Sequence, residues 1–98
     1  MNKTELQQRA EAFIRDRFRG HLPPGVGVYP FGSRARRTAS WNADYDLWID
    51  ADVPAGVIDA IVEELDESFV PYKVDIVTTA DLRGPFADRV KAEAIRWM

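Results

Sequence analysis

The stretch YPFGSRARRTASWNADYDLWID, residues 29–50, decides how this chain is read. It sets a Gly-Ser pair and three arginines just ahead of two aspartates, Asp44 and Asp46. One tyrosine separates the aspartates, within a run of aromatic and branched residues that otherwise reads as a strand. Charge inside a strand costs stability unless something uses it. Side chains alternate across a strand, so Asp44 and Asp46 are expected on one face, with Tyr45 and Leu47 on the other. Like charges about 6 to 7 Å apart along a strand repel, which invites a raised pKa or a cation between them. Magnesium and similar hard cations take carboxylate oxygens and fill the rest of their shell with water or phosphate oxygens.

Working outward, Gly32 and Ser33 form a turn in which backbone amides can approach an anion closely. Ser33, near a helix start, adds a hydroxyl and the positive end of the helix dipole. Arg34, Arg36 and Arg37 stand nearby in the chain to neutralise spreading charge. A third acid, Asp75, lies within VDIV, residues 74–77, and is out of place in a sheet unless its face opens into a site. Three carboxylates on two strands could hold two metals about 3.5 to 4 Å apart, the arrangement used for in-line displacement at phosphorus.

The rest of the chain supplies a frame. Thr4 is expected to cap a first helix, with Gln7 completing a capping box, and Leu6, Ala10, Phe13, Ile14 and Phe18 recur at helical spacing up to about Gly20. HLPPG, residues 21–25, ends that helix. VGVYPF, residues 26–31, is a strand whose Pro30 marks a sheet edge or a strand end. GSRARRTAS opens one or two helical turns, and ADYDLWIDA is the second strand. Val57, Ile58, Ile61, Val62, Leu65 and Phe69 mark a helix whose acidic side reads as solvated surface. YKVDIVTT is a third strand and PFADRVKAEAIRWM a last helix. Strands alternating with helices give a small α/β sheet with helices packed on it, and the spacing leaves strand pairing and direction open.

Composition narrows the function classes. Ninety-eight residues make one domain, expected to span 1–98, with 46% hydrophobic and 30% charged residues. The absence of cysteine removes disulfides and thiolate metal sites, and no apolar run is long enough for a membrane span or a signal peptide, so a cytoplasmic protein is expected. A net charge of -3 disfavours direct nucleic-acid binding. His21 is expected as a helix-end residue, Trp41 as a packed loop anchor, and Asp50 at a strand end.

GSRARRTASWNADYDL resembles the signature of the minimal nucleotidyltransferases in the DNA polymerase β-like superfamily, a Gly-Ser turn followed about eleven residues later by Asp-x-Asp. VDIV falls where that family carries its third aspartate. The resemblance implies a small mixed β-sheet with flanking helices, the polymerase β-like palm. It implies that Gly32 and Ser33 grip the outer phosphates of ATP; Arg36 reads either as a further phosphate contact or as a solvated arginine on the short helix. It also implies that Asp44 and Asp46 bridge two magnesium ions, with Asp75 as the third carboxylate ligand. Many members have glycine where this chain has Arg37, and serine where it has Ala43. Small members of the family resemble antitoxins paired with a helical HEPN toxin, a ribonuclease that some inactivate by moving AMP from ATP to a tyrosine hydroxyl. That implies a hetero-oligomer with such a toxin. The alternatives are an antitoxin that only occludes its toxin, and a transferase acting on a small molecule, which resembles larger relatives with an added domain.

Overall fold

The first helix starts at Asn2, whose side-chain oxygen accepts the Glu5 backbone N–H at 2.8 Å. A computed structural model describes all 98 residues. Asn2 rather than Thr4 is the cap, because its carboxamide already reaches the exposed amide of the first turn and leaves Thr4 inside the helix. Helix α1 (Lys3–His21) buries Ala10, Ile14 and Phe18 completely, one per turn on a single stripe. The Leu22 N–H closes the helix on the Phe18 carbonyl at 2.9 Å, and two prolines follow.

Strand β1 (Val28–Phe31), the single turn α2 (Ser33–Arg36) and strand β2 (Tyr45–Ile49) come next. Helix α3 (Ala55–Asp66), strand β3 (Val74–Thr78), a 3-10 turn at Thr79–Asp81 and helix α4 (Gly84–Glu93) complete the order. The sheet runs β1-β2-β3, with β1 and β2 antiparallel and β2 and β3 parallel, so it is mixed. The parallel step is spanned by α3, as a crossover requires. The 3-10 turn was not read from the sequence; Thr78 and Asp81 cap it reciprocally.

The two faces of the sheet divide by parity along each strand. Val28, Tyr45, Leu47 and Ile49 meet α1 and α3 in the main core, with Ile61 and Leu65 from α3. Phe31 and Trp48 meet Val90 of α4 on the opposite face. Glu64 of α3, expected on a solvated side, instead pairs with Arg17 at 3.3 Å and with His21, fastening the end of α1. No helix is long and apolar enough to cross a membrane.

The last helix is shorter than its sequence pattern. It stops at Glu93, and residues 94–98 run extended beside β1, where Ile95 N–H donates to the Pro30 carbonyl at 3.2 Å and Trp97 N–H to the Val28 carbonyl at 2.8 Å. This segment covers the outer edge of β1, where the missing N–H of Pro30 does no harm. Trp97 also stacks on Tyr45 with ring centres 6.1 Å apart, as packing rather than chemistry.

Arg37 closes α2 with φ 59° and ψ 31°, the left-handed region that costs a side-chain-bearing residue about 1–2 kcal/mol. Glycine adopts it without strain but gives back about 0.4–1 kcal/mol through a freer unfolded chain. Arg37→Gly should therefore raise stability by about 0.5–1 kcal/mol, read as a higher urea midpoint; a lower midpoint would show that the arginine side chain holds the loop.

Candidate active site

Alternation along β2 sends Asp46 to the same face as Trp48, and alternation along β3 sends Asp75 to the face of Val77. Asp46 and Asp75 are register partners on neighbouring parallel strands, a spacing of about 4.8 Å between backbones. Helix α4 covers only part of this face. The uncovered end forms a cleft of about 440 Å³ lined by Gly32, Ser33, Arg36, Asp46 and Asp75, with Phe86, Arg89 and Glu93 from α4.

Burial holds the Asp46 carboxyl above the ordinary aspartate range, and Asp75 and then Asp44 push it the same way while Arg36 opposes them. This is the electrostatic crowding expected of paired acids in a strand. Asp44 itself stands one residue before β2, exposed, and does not line the cleft. The first hydrogen bond of the strand, from Tyr45 N–H to the Lys73 carbonyl at 2.9 Å, fixes that boundary. No three acidic, histidine or cysteine side chains lie close enough together to hold a metal ion as they stand.

Gly32 links β1 to α2 with φ 70° and ψ -150°, a conformation that suits glycine. A Cβ at this position would lie 2.8 Å from Oδ2 of Asp46, so the turn and the acid can be this close only without a side chain. The Gly32 N–H donates to Oε2 of Glu93 at 2.9 Å, and Arg36 Nη1 donates to Oε1 of the same carboxylate at 2.7 Å. The Gly32 amide, with Arg36 behind it, holds the Glu93 carboxyl below the ordinary glutamate range. The stability this contact adds is present above that range and fades as pH falls through the lowered pKa.

Only Arg36 of the three arginines faces the cleft. Arg34 lies on the other face, its guanidinium carbon 4.1 Å from the Tyr45 ring centre and 4.9 Å from that of Tyr72. It donates to the Trp41 carbonyl at 3.1 Å and the Ala43 carbonyl at 2.6 Å, which ties down the loop carrying Asp44. Arg37, exposed and left-handed at the end of α2, lines a separate hollow with Pro30 and Trp97. Trp41 is anchored through its carbonyl rather than by packing: the residue is 44% exposed, with the Lys3 ammonium over its ring. Asp50 sits just past β2 and accepts the Thr79 hydroxyl at 3.2 Å, outside the cleft.

The model of the nucleotidyltransferase domain family matches residues 11–97. The chain belongs to that family. Among solved structures, this nucleotidyltransferase domain is similar to a chain from the crystal structure of a toxin-antitoxin with AMP-PNP. The likeness has a TM-score of 0.70 at 23% identity and covers 88% of this chain and 70% of that one, which establishes a shared fold. No curated protein matches the sequence.

Within the nucleotidyltransferase domain the cleft gathers Gly32, Ser33, Arg36, Asp46 and Asp75, all marked by sequence, and adds three residues that sequence reasoning missed. Phe86, Arg89 and Glu93 lie three and four residues apart on α4, so they share one helical face with Val90. Two charges on the stripe that also carries the buried valine were the available signal.

Proposed function

We propose that this domain moves AMP from ATP onto a tyrosine hydroxyl of a HEPN-type toxin and thereby acts as its antitoxin. The observation that carries the reading is an anion seat beside an acidic pair: Gly32 and Arg36 hold a carboxylate at one wall of a cleft whose other wall is Asp46 and Asp75. An amide and a guanidinium that grip one oxyanion suit a phosphate equally well.

The donor set fits magnesium, since it consists of carboxylates crowded enough to raise the proton affinity of Asp46. Asp46 and Asp75 would hold the ions, joined by Asp44 once its exposed side chain turns inward. Bound there, magnesium neutralises charge developing on the transferring phosphoryl group. Gly32, Ser33 and Arg36 bind the outer phosphates and orient the leaving pyrophosphate. The acceptor oxygen attacks the α-phosphorus, a new P–O bond forms, the bond to pyrophosphate breaks, and the hydroxyl proton passes to solvent. Asp75, with its side chain 49% exposed, lies on the open side where a partner can present that hydroxyl. Dependence on ATP sets the reaction in the cytoplasm.

Occlusion without chemistry is the second reading, favoured by the outward position of Asp44 and by Glu93 in the anion seat. Incubating the domain with magnesium, ATP and the toxin encoded beside it separates the two. Transfer should add the mass of AMP to the toxin and leave it inactive after separation. An inhibited toxin of unchanged mass, active again once separated, rules out transfer.

A further inference from the structure

Resting on the nucleotide reading above, we propose that Glu93 is a built-in occupant of the phosphate seat, which an outer phosphate of the nucleotide must displace, and that it thereby sets the affinity of the site. Both carboxylate oxygens are engaged, one by the Gly32 amide at 2.9 Å and one by Arg36 at 2.7 Å. These are two of the three groups to which phosphate recognition falls, Ser33 being the third. The Gly32 amide has a single hydrogen, so a carboxylate and a phosphate cannot both take it. Glu93 is seated rather than draped on the surface, with its side chain 17% exposed against 51% for Arg36.

The residue is tethered where exchange is easy. Glu93 ends α4, and the extended segment after it is pinned to β1 through Ile95 and Trp97, which fixes the backbone on both sides. Release then needs only side-chain torsions, which move without disturbing the fold. Charge favours the same exchange. The cleft wall carries three acids, Asp46, Asp75 and Glu93, against two bases, Arg36 and Arg89. With Glu93 seated, the local balance opposes a triphosphate. With Glu93 swung out, Arg36 and Arg89 are free to face it.

A site that is competent only part of the time binds more weakly by the reciprocal of that fraction. A seat occupied about nine-tenths of the time weakens binding about tenfold. Glu93→Gln keeps the shape and removes the charge, so magnesium-ATP and pyrophosphate should bind about tenfold more tightly by calorimetry. AMP lacks outer phosphates, so its affinity should not change. Glu93→Asp draws the carboxylate back by one methylene and should shift affinity in the same direction, which keeps the test open if the glutamine variant does not fold. Unchanged or weaker ATP binding in the variants overturns the proposal and makes Glu93 a brace for the turn. Equal tightening of AMP also overturns it, because the effect would then be general electrostatics. Absence of any nucleotide binding, in the parent and the variants alike, overturns the nucleotide reading and this inference with it.

Discussion

Asp46→Asn is expected to cut nucleotidyl transfer at least about a thousandfold while the fold persists. Asp46 is the one acid that meets both walls of the cleft: it is the register partner of Asp75 and lies against Gly32 so closely that no Cβ fits between them. Asparagine has nearly the same shape, so the turn and the strand keep their geometry. What it loses is the negative charge on which cation binding depends, a loss of several kcal/mol in the stabilised transition state. Stability should move the other way. Burial and neighbouring acids raise the Asp46 pKa on folding, so its contribution is favourable below the unfolded value and is lost as pH rises through the folded one. At neutral pH the variant should therefore melt no lower than the parent, and any advantage should vanish in acid. Transfer rates and melting curves at two pH values test both halves. A variant that unfolds would make the carboxylate structural, and one that transfers normally would move the chemistry elsewhere.

Leu47→Ala should do the reverse, lowering stability by about 3 kcal/mol while leaving the chemical groups untouched. Leu47 is completely buried on the middle strand, back to back with the acid face, where it joins the main core with Ile14, Phe18 and Ile61. The flanking strands prevent β2 from collapsing inward, so the cavity stays and its cost is added to the lost transfer energy. For a domain of this size that corresponds to about 12–24 °C in melting temperature. Below the new transition the variant should transfer at close to the parent rate. A loss of activity in the still-folded variant would show that the position of Asp46 depends on packing from behind.

How much of this could be read from the residues depends on the range of the interactions involved. Period-two alternation is local, so Asp46 and Asp75 could be assigned to an acid face before any pairing was known, and the mixed α/β architecture followed from the order of elements and the resemblance. Gly32 was legible for the same reason. The outward position of Asp44 was not, because the strand begins where Tyr45 finds Lys73, a distant residue just ahead of β3. Arg34 stood among the arginines expected to neutralise spreading charge, but the Tyr45 and Tyr72 rings, the second far along the chain, hold its guanidinium on the other face. Glu93 reaches Gly32 only through the packing of α4 on the sheet. Asn2 is the exception, since Asn-x-x-Glu is local and was available as a cap.

The mixed sheet also divides the site by how readily its parts open. Strand β2 is bonded on both sides, antiparallel to β1 and parallel to β3, so its amides should be among the last to exchange with solvent deuterium. Asp46 rides on that slow element. Gly32 sits past the end of β1 and Glu93 on the final turn of α4, where a turn amide and two side chains meet rather than a sheet ladder. The cleft thus sets a slow-exchanging acid floor against a wall closed by side chains, so a side-chain turn can admit a phosphate without loosening the strand that carries the charge.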